Sequence, residues 1–246
     1  MNQLVHLPRT RKLPASTPVA ASPKAPKASN AKASAPAKVA ASRTNDPART
    51  MAGILDVATA EFAEKGLSGA RIDEIAAATK TSKRMIYYYF GSKEGLYLAV
   101  LEESYRRMRA IEAELHLEDL APEAALRRLT EFTFDHHFGN EDYIRLVMSE
   151  NMQRGQYLAQ SKTIQDLNVT AISAIGKLYE RGVKAGVFRA GLDPIDIHAS
   201  ISALTFFNVS NRHTFGLIFK NSGQTTQALT TRRANIAEMI ARFVRK

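Results

Sequence analysis

Lys83, Arg84, Tyr87 and Tyr88 crowd into the stretch TSKRMIYYYF, residues 81–90. Guanidinium groups read base edges, and ammonium and phenol groups bond phosphate oxygens, so this set is suited to nucleic acid. On a helix of about 100° per residue, these four side chains share one arc of roughly 140°. Met85, Ile86, Tyr89 and Phe90 fall on the opposite arc. One face is thus apolar and available for packing, and the other is basic and phenolic. Lys83 and Arg84 also sit in the first turn, where the helix dipole disfavours cations. An external anion would relieve both.

Such a face needs a short helix held at both ends. Ser82 is a good N-cap for it. Ahead lies a helix over about Arg71–Ala78, presenting Ile72, Ile75 and Ala76, followed by the turn Thr79-Lys80-Thr81. Two short helices joined by a three-residue turn form a helix-turn-helix. Its second helix enters the major groove with its N-terminal residues leading, here Ser82, Lys83 and Arg84. Arg84 is placed to bond a guanine edge, and the tyrosine hydroxyls (Tyr87, Tyr88, Tyr89) and Lys93 to bond phosphates. Ser92 caps a longer helix whose Leu96, Val100, Met108, Ile111 and Leu115 mark an apolar face. Upstream, Asp46-Pro47 opens a first helix as N-cap and N1. It carries Ile54, Leu55, Ala58 and Phe62 and ends at Gly66.

Further helices are expected at about Pro122–Phe138, Asp142–Arg154, Ser161–Ala185, Pro194–Thr214 and Thr226–Arg245. No convincing strand and no repeat appear, so the fold class is all-α. Ile197, Ile201, Leu204 and Phe207 form one stripe and Ile236, Ile240, Phe243 and Val244 another. Each stripe suits either an internal core or a subunit contact. Asp142/Arg145 and Glu150/Arg154 have ion-pair spacing and read as a solvated helix face. His136-His137 beside Asp135 is a poor metal site, because neighbours on a helix diverge by about 100°.

The net charge is +10, and there is no cysteine, which removes disulfides and thiol chemistry. Eight basic residues and one acid lie in Met1–Asp46, so seven of the ten net charges belong to that segment. Its Ala/Lys/Pro/Ser composition reads as a disordered basic tail, able to add nonspecific DNA affinity. No apolar run approaches the ~18 residues of a membrane span, so no membrane partner is expected, and a cytoplasmic location is. No G-x-S-x-G, P-loop, Rossmann glycine run or metal-ligand cluster is present. The expectation is a protein that is not an enzyme and needs no cofactor.

Ile54-Leu55, Ala58, Phe62, Gly66, Ile75-Ala76, Thr81-Ser82-Lys83, Ile86 to Phe90, Ser92-Lys93-Glu94 and Leu96 together resemble the N-terminal domain of the TetR family of bacterial transcription regulators. The similarity covers about residues 48–100. It implies a three-helix DNA-binding domain over 47–95 and a larger helical effector-binding and dimerisation domain over 96–246. The implied protein is a homodimeric repressor that binds a palindromic operator in double-stranded DNA and is released by a small-molecule effector. The resemblance assigns the dimer contact to the last two helices. Effector contacts are sought among polar residues on apolar faces, with His137, Asn151, Asn208 and Asn211 as candidates. The sequence departs from the family where threonine or serine is common, at Ala70 and Arg71, which leaves Arg71 as the phosphate contact. It departs again at Lys80, where glycine is usual. A left-handed Lys80 would cost about 1 kcal/mol. The alternative is an architectural, sequence-tolerant DNA binder driven by the basic tail.

Overall fold

The computed structural model describes residues 46–220 and 225–246, so the basic-tail expectation for 1–46 lies, apart from Asp46, outside the described residues. The described residues form ten α-helices, and their only bridge-type pairing is an isolated one between Phe188 and Arg245. None of these helices is long and apolar enough to cross a membrane.

The first four helices are α1 (Pro47–Gly69), α2 (Ile72–Ala78), α3 (Lys83–Phe90) and α4 (Lys93–Ala113). The Asp46 carboxylate accepts from the Ala48 N–H at 3.0 Å, and Pro47 follows it, as the Asp-Pro signal predicts. Gly66 (φ 66°, ψ 174°) breaks α1 near its end, a backbone conformation that suits glycine because it lacks a Cβ. Ile54, Ala58 and Phe62 of α1 meet Ile75 of α2, Ile86 of α3 and Leu96, Tyr97 and Val100 of α4 in one core. Full burial of an isoleucine such as Ile86 contributes about 1.5–3 kcal/mol. Leu146 and Ile164, from later helices, belong to the same core.

The remaining helices are α5 (Pro122–Gly139), α6 (Glu141–Met152), α7 (Lys162–Lys184), α8 (Pro194–Ser210), α9 (Arg212–Phe219) and α10 (Thr226–Val244). A second core joins Leu126 and Leu129 of α5, Ile175 and Leu178 of α7, Ile197 and Ile201 of α8, and Ile240 and Val244 of α10. The helix expected over Pro194–Thr214 is therefore two. It breaks at Asn211 (φ −106°, ψ 2°), whose amide bonds Ser210 Oγ at 2.8 Å. Helix α9 then leaves Leu217, Ile218 and Phe219 exposed.

The two apolar stripes resolve differently from the dimer contact assigned to them. Ile197, Ile201, Ile236, Ile240 and Val244 are buried within the single chain, and Leu204 and Phe243 pack against the second core. Only Phe207, 44% exposed, faces outward from either stripe. Periodicity shows that a helix has an apolar side, not whose surface covers it. Ile111 likewise leaves the expected apolar face of α4 and is exposed.

Candidate nucleic-acid interface

Helix α3 is anchored from behind and open in front. Ile86 has 0% exposure, whereas Tyr87 is 44% and Tyr88 77% exposed. Lys83 and Arg84 are exposed with them. Tyr89 packs partly against the first core, with its ring edge-on to Tyr88 at 5.3 Å between centroids. Among the expected DNA contacts it is the one whose ring also serves packing.

The caps behave as their residue types require. Ser82 Oγ accepts from the Met85 N–H at 3.2 Å and Ser92 Oγ from the Gly95 N–H at 2.9 Å. Lys80 has φ +54°, the left-handed turn residue that its position in the motif demands. Arg71 stands at the N-cap of α2 without a side-chain capping bond. Glu61 of α1 accepts the N–H of Arg71 itself at 3.0 Å, which fixes the start of α2 without capping it, and the Arg71 side chain stays exposed. Lys93 Nζ donates to the Ser68 carbonyl at 3.3 Å, which ties α4 to the end of α1.

Electrostatics separate the two cations at the start of α3. Lys83 pairs with Asp73 of α2, so an internal anion already relieves one of them. The pair is about half exposed on both sides, and such surface pairs contribute roughly 0–1 kcal/mol. A phosphate can displace Asp73 at small cost. Arg84 has no carboxylate partner among the described residues, which leaves its planar fork available for a bidentate acceptor.

The residue that sequence reasoning passed over is Gly95. A Cβ built there would lie 2.1 Å from the Phe90 carbonyl oxygen. Helix α4 therefore approaches the C-terminal end of α3 more closely than any side chain permits. The available signal was a glycine in the first turn of a helix, where it costs stability unless packing requires it.

A cavity of about 250 Å³ lies between helices away from this face. Helix α4 lends it Tyr105 and Arg109, α6 Tyr143 and Val147, and α8 His198, Ser202 and Phe206. His137 lines it too, whereas Asn151, Asn208 and Asn211 do not. Asn151 bonds the Val147 carbonyl at 2.9 Å, and Asn208 accepts from Arg232 Nε at 3.0 Å. Asn211 serves the junction between α8 and α9. Those three side chains are occupied locally, and a sequence position cannot show that.

Burial pushes His137 down to about 3, with His136, His198 and Arg109 adding repulsion. Burial first, then Arg109, also lowers His136 and His198. Unfolded, these imidazoles protonate near the usual value of about 6.5. The stability that they confer is thus full above about pH 6.5 and is lost as pH falls toward the folded values. Between pH 6.5 and 5 the loss from His137 alone should be about 2 kcal/mol. Urea unfolding at the two pH values checks this, and His137→Gln should shrink the difference.

Residues 54–100 match the family model described as "Bacterial regulatory proteins, tetR family", and residues 122–240 match "Tetracyclin repressor-like, C-terminal domain". The chain is 35% identical over 172 residues to the HTH-type transcriptional repressor NicS of Pseudomonas putida, covering 70% of this chain and 81% of that protein. It is 35% identical over 139 residues to the HTH-type transcriptional repressor SCO4008 of Streptomyces coelicolor, covering 56% and 69%. Among solved structures, the putative transcriptional regulator SCO4942 of Streptomyces coelicolor superposes with a TM-score of 0.60 at 26% identity, over 79% of this chain and 98% of that one.

Proposed function

This chain belongs to the TetR family of bacterial regulatory proteins, and from that premise we propose how its DNA-binding repressor role is carried out. Regulators of this family bind DNA operators and ligands and act as dimers. In this chain, α3 of each subunit enters a major groove of a palindromic operator, with the two grooves about 34–36 Å apart. The observation that carries this reading is the division of α3, with Ile86 fully buried and Arg84, Tyr87 and Tyr88 turned to solvent. Arg84 reads a base. Lys83, exchanging Asp73 for phosphate, fixes the register with Arg71, Ser82, Lys93 and the tyrosine hydroxyls.

The subunit contact is formed by what the cores leave uncovered on α8 and α10. On α8 these residues include Ala199, Ala203 and Phe207, and on α10 Asn235 and Met239. Small residues beside one aromatic permit close helix approach. A small effector occupies the cavity between α4 and α6. Both helices also pack on α1 in the first core, Val100 and Leu101 of α4 and Leu146 of α6 beside Ile54 and Phe62, with the surface pairs Arg107–Asp56 and Arg145–Glu64 at 2.7 Å alongside. An occupant that changes the spacing of α4 and α6 therefore moves the DNA-binding helices and misaligns the two recognition helices.

Arg84→Ala should remove about 1–3 kcal/mol of discrimination at one operator base pair. Lys93→Ala should weaken all sequences alike and lower the salt slope by about one. Fluorescence anisotropy on operator variants across a salt series separates the two, and footprinting should show a discrete protected palindrome. A parental affinity and base preference in both variants, or a diffuse footprint set by the basic tail, would refute this docking.

A further inference from the structure

Helix α9 reads RHTFGLIF and carries no acid. At about 100° per residue, Phe215, Ile218 and Phe219 share one arc and Leu217 points the opposite way. A helix that is apolar all round belongs in an interior. Yet within this chain Leu217 is 81% exposed, Ile218 70% and Phe219 61%. The helix is firmly built all the same. Arg212 at its root pairs with Glu141 of α6, and Phe215 stands edge-on to Phe207 of α8 at 5.8 Å. The Lys220 N–H closes it on the Gly216 carbonyl. Its tip alone is uncovered among the described residues.

The exposed rings continue the surface assigned to the subunit contact. Phe207 is the outward residue of the α8 stripe, Phe215 lies 5.8 Å from it, and Phe219 lies 4.6 Å from Phe215. One aromatic row thus runs from α8 onto α9. A stable interface buries about 800 Å² on each side. Among the described residues, the large apolar side chains exposed on α8 and α10 are Ile195, Phe207 and Met239. Helix α9 adds four more, Phe215, Leu217, Ile218 and Phe219. A single aromatic buries about 150–250 Å², so α9 offers more apolar contact area than α8 and α10 together. Regulators of this family act as dimers, which makes a second copy of this chain the partner at hand.

We propose that α9 is an intersubunit arm, with Leu217, Ile218 and Phe219 seated on a second copy of this chain. The row Phe207–Phe215–Phe219 joins that seat to the contact made by α8 and α10. This extends the reading that the subunits meet through α8 and α10. Arg212 ties the root of the arm to the first turn of α6, and Leu146 of α6 packs in the core that holds α1. The partner's hold on the arm therefore also bears on the setting of the recognition helices.

The test is sedimentation equilibrium of the full chain over a concentration series, with circular dichroism to follow helix content. Leu217→Asp combined with Ile218→Asp alters only side chains exposed in the single chain, and should raise the dimer dissociation constant about 100-fold or more. Ala203→Arg on α8 tests the α8 and α10 contact separately. A parental dissociation constant in the α9 variant overturns the proposal, and a monomeric parent overturns both readings. Dissociation of the α9 variant beside a parental constant in Ala203→Arg upholds the arm and refutes the α8 and α10 contact. The chain has no cysteine, so a single introduced thiol reports one place. Met152 of α6, 85% exposed, is the reference position. At dimeric concentrations Ile218→Cys should react with a maleimide about tenfold or more slowly than Met152→Cys, and should gain speed on dilution below the dissociation constant. Equal rates, or protection that appears only when phosphatidylglycerol vesicles are added, overturn the proposal.

Discussion

Gly95→Ala should cost about 3 kcal/mol of stability and abolish measurable operator binding at concentrations where the parent is saturated. The added methyl would meet the Phe90 carbonyl oxygen at 2.1 Å and its carbon at 3.3 Å. That carbonyl cannot simply swing aside, because it accepts the Ser92 N–H at 2.8 Å. The obstruction is backbone, so α3 and α4 must part as units. Parting them withdraws Ile86 from the core and rotates the face that carries Arg84. Gly53→Ala is the control. No atom lies within 4 Å of a Cβ there, and replacing a helical glycine should stabilise by about 0.5–1 kcal/mol. Thermal melts of both variants, with anisotropy on the operator, decide the matter. A parental melting temperature in Gly95→Ala would show that the two helices are not in fixed contact.

Glu150→Ala should be the second severe change, about 1–3 kcal/mol. The ion-pair spacing Glu150/Arg154 suggests a solvated charge, but Glu150 is buried. Its Oε2 accepts the Tyr157 N–H at 3.2 Å and the Leu158 N–H at 2.9 Å. The carboxylate thereby pins the connection between α6 and α7. Tyr157 stands edge-on to Tyr97 at 5.3 Å, and Tyr97 edge-on to Phe62 of α1 at 5.1 Å. Burial raises the Tyr97 phenol to about 12. Leu158 lines the cavity. Truncating Glu150 orphans two N–H groups and loosens the segment between the cavity and the DNA-binding core. Glu150→Gln keeps one acceptor and should lose less. Urea titration gives the magnitudes, and equal stability of parent and Glu150→Ala would remove Glu150 from this role.

Much of the DNA-binding half was legible in the residues themselves. Caps at Asp46, Ser82 and Ser92, the break at Gly66 and the left-handed Lys80 follow from interactions spanning no more than about four residues. The two faces of α3 follow from a fixed helical pitch. Such features are local, so the order of residues specifies them and the fold inherits them. Beyond them lay the choices that depend on which surface meets which. The stripes on α8 and α10 turned inward to one core, Glu150 turned from solvent to backbone, and Gly95 proved to be a point of contact between helices. His137 reached a cavity while Asn151, Asn208 and Asn211 bonded their own neighbourhoods. Periodicity gives a helix its apolar side but carries no information about the partner. Only packing between residues far apart in the chain assigns that partner, and with it the cavity and the anchored recognition helix.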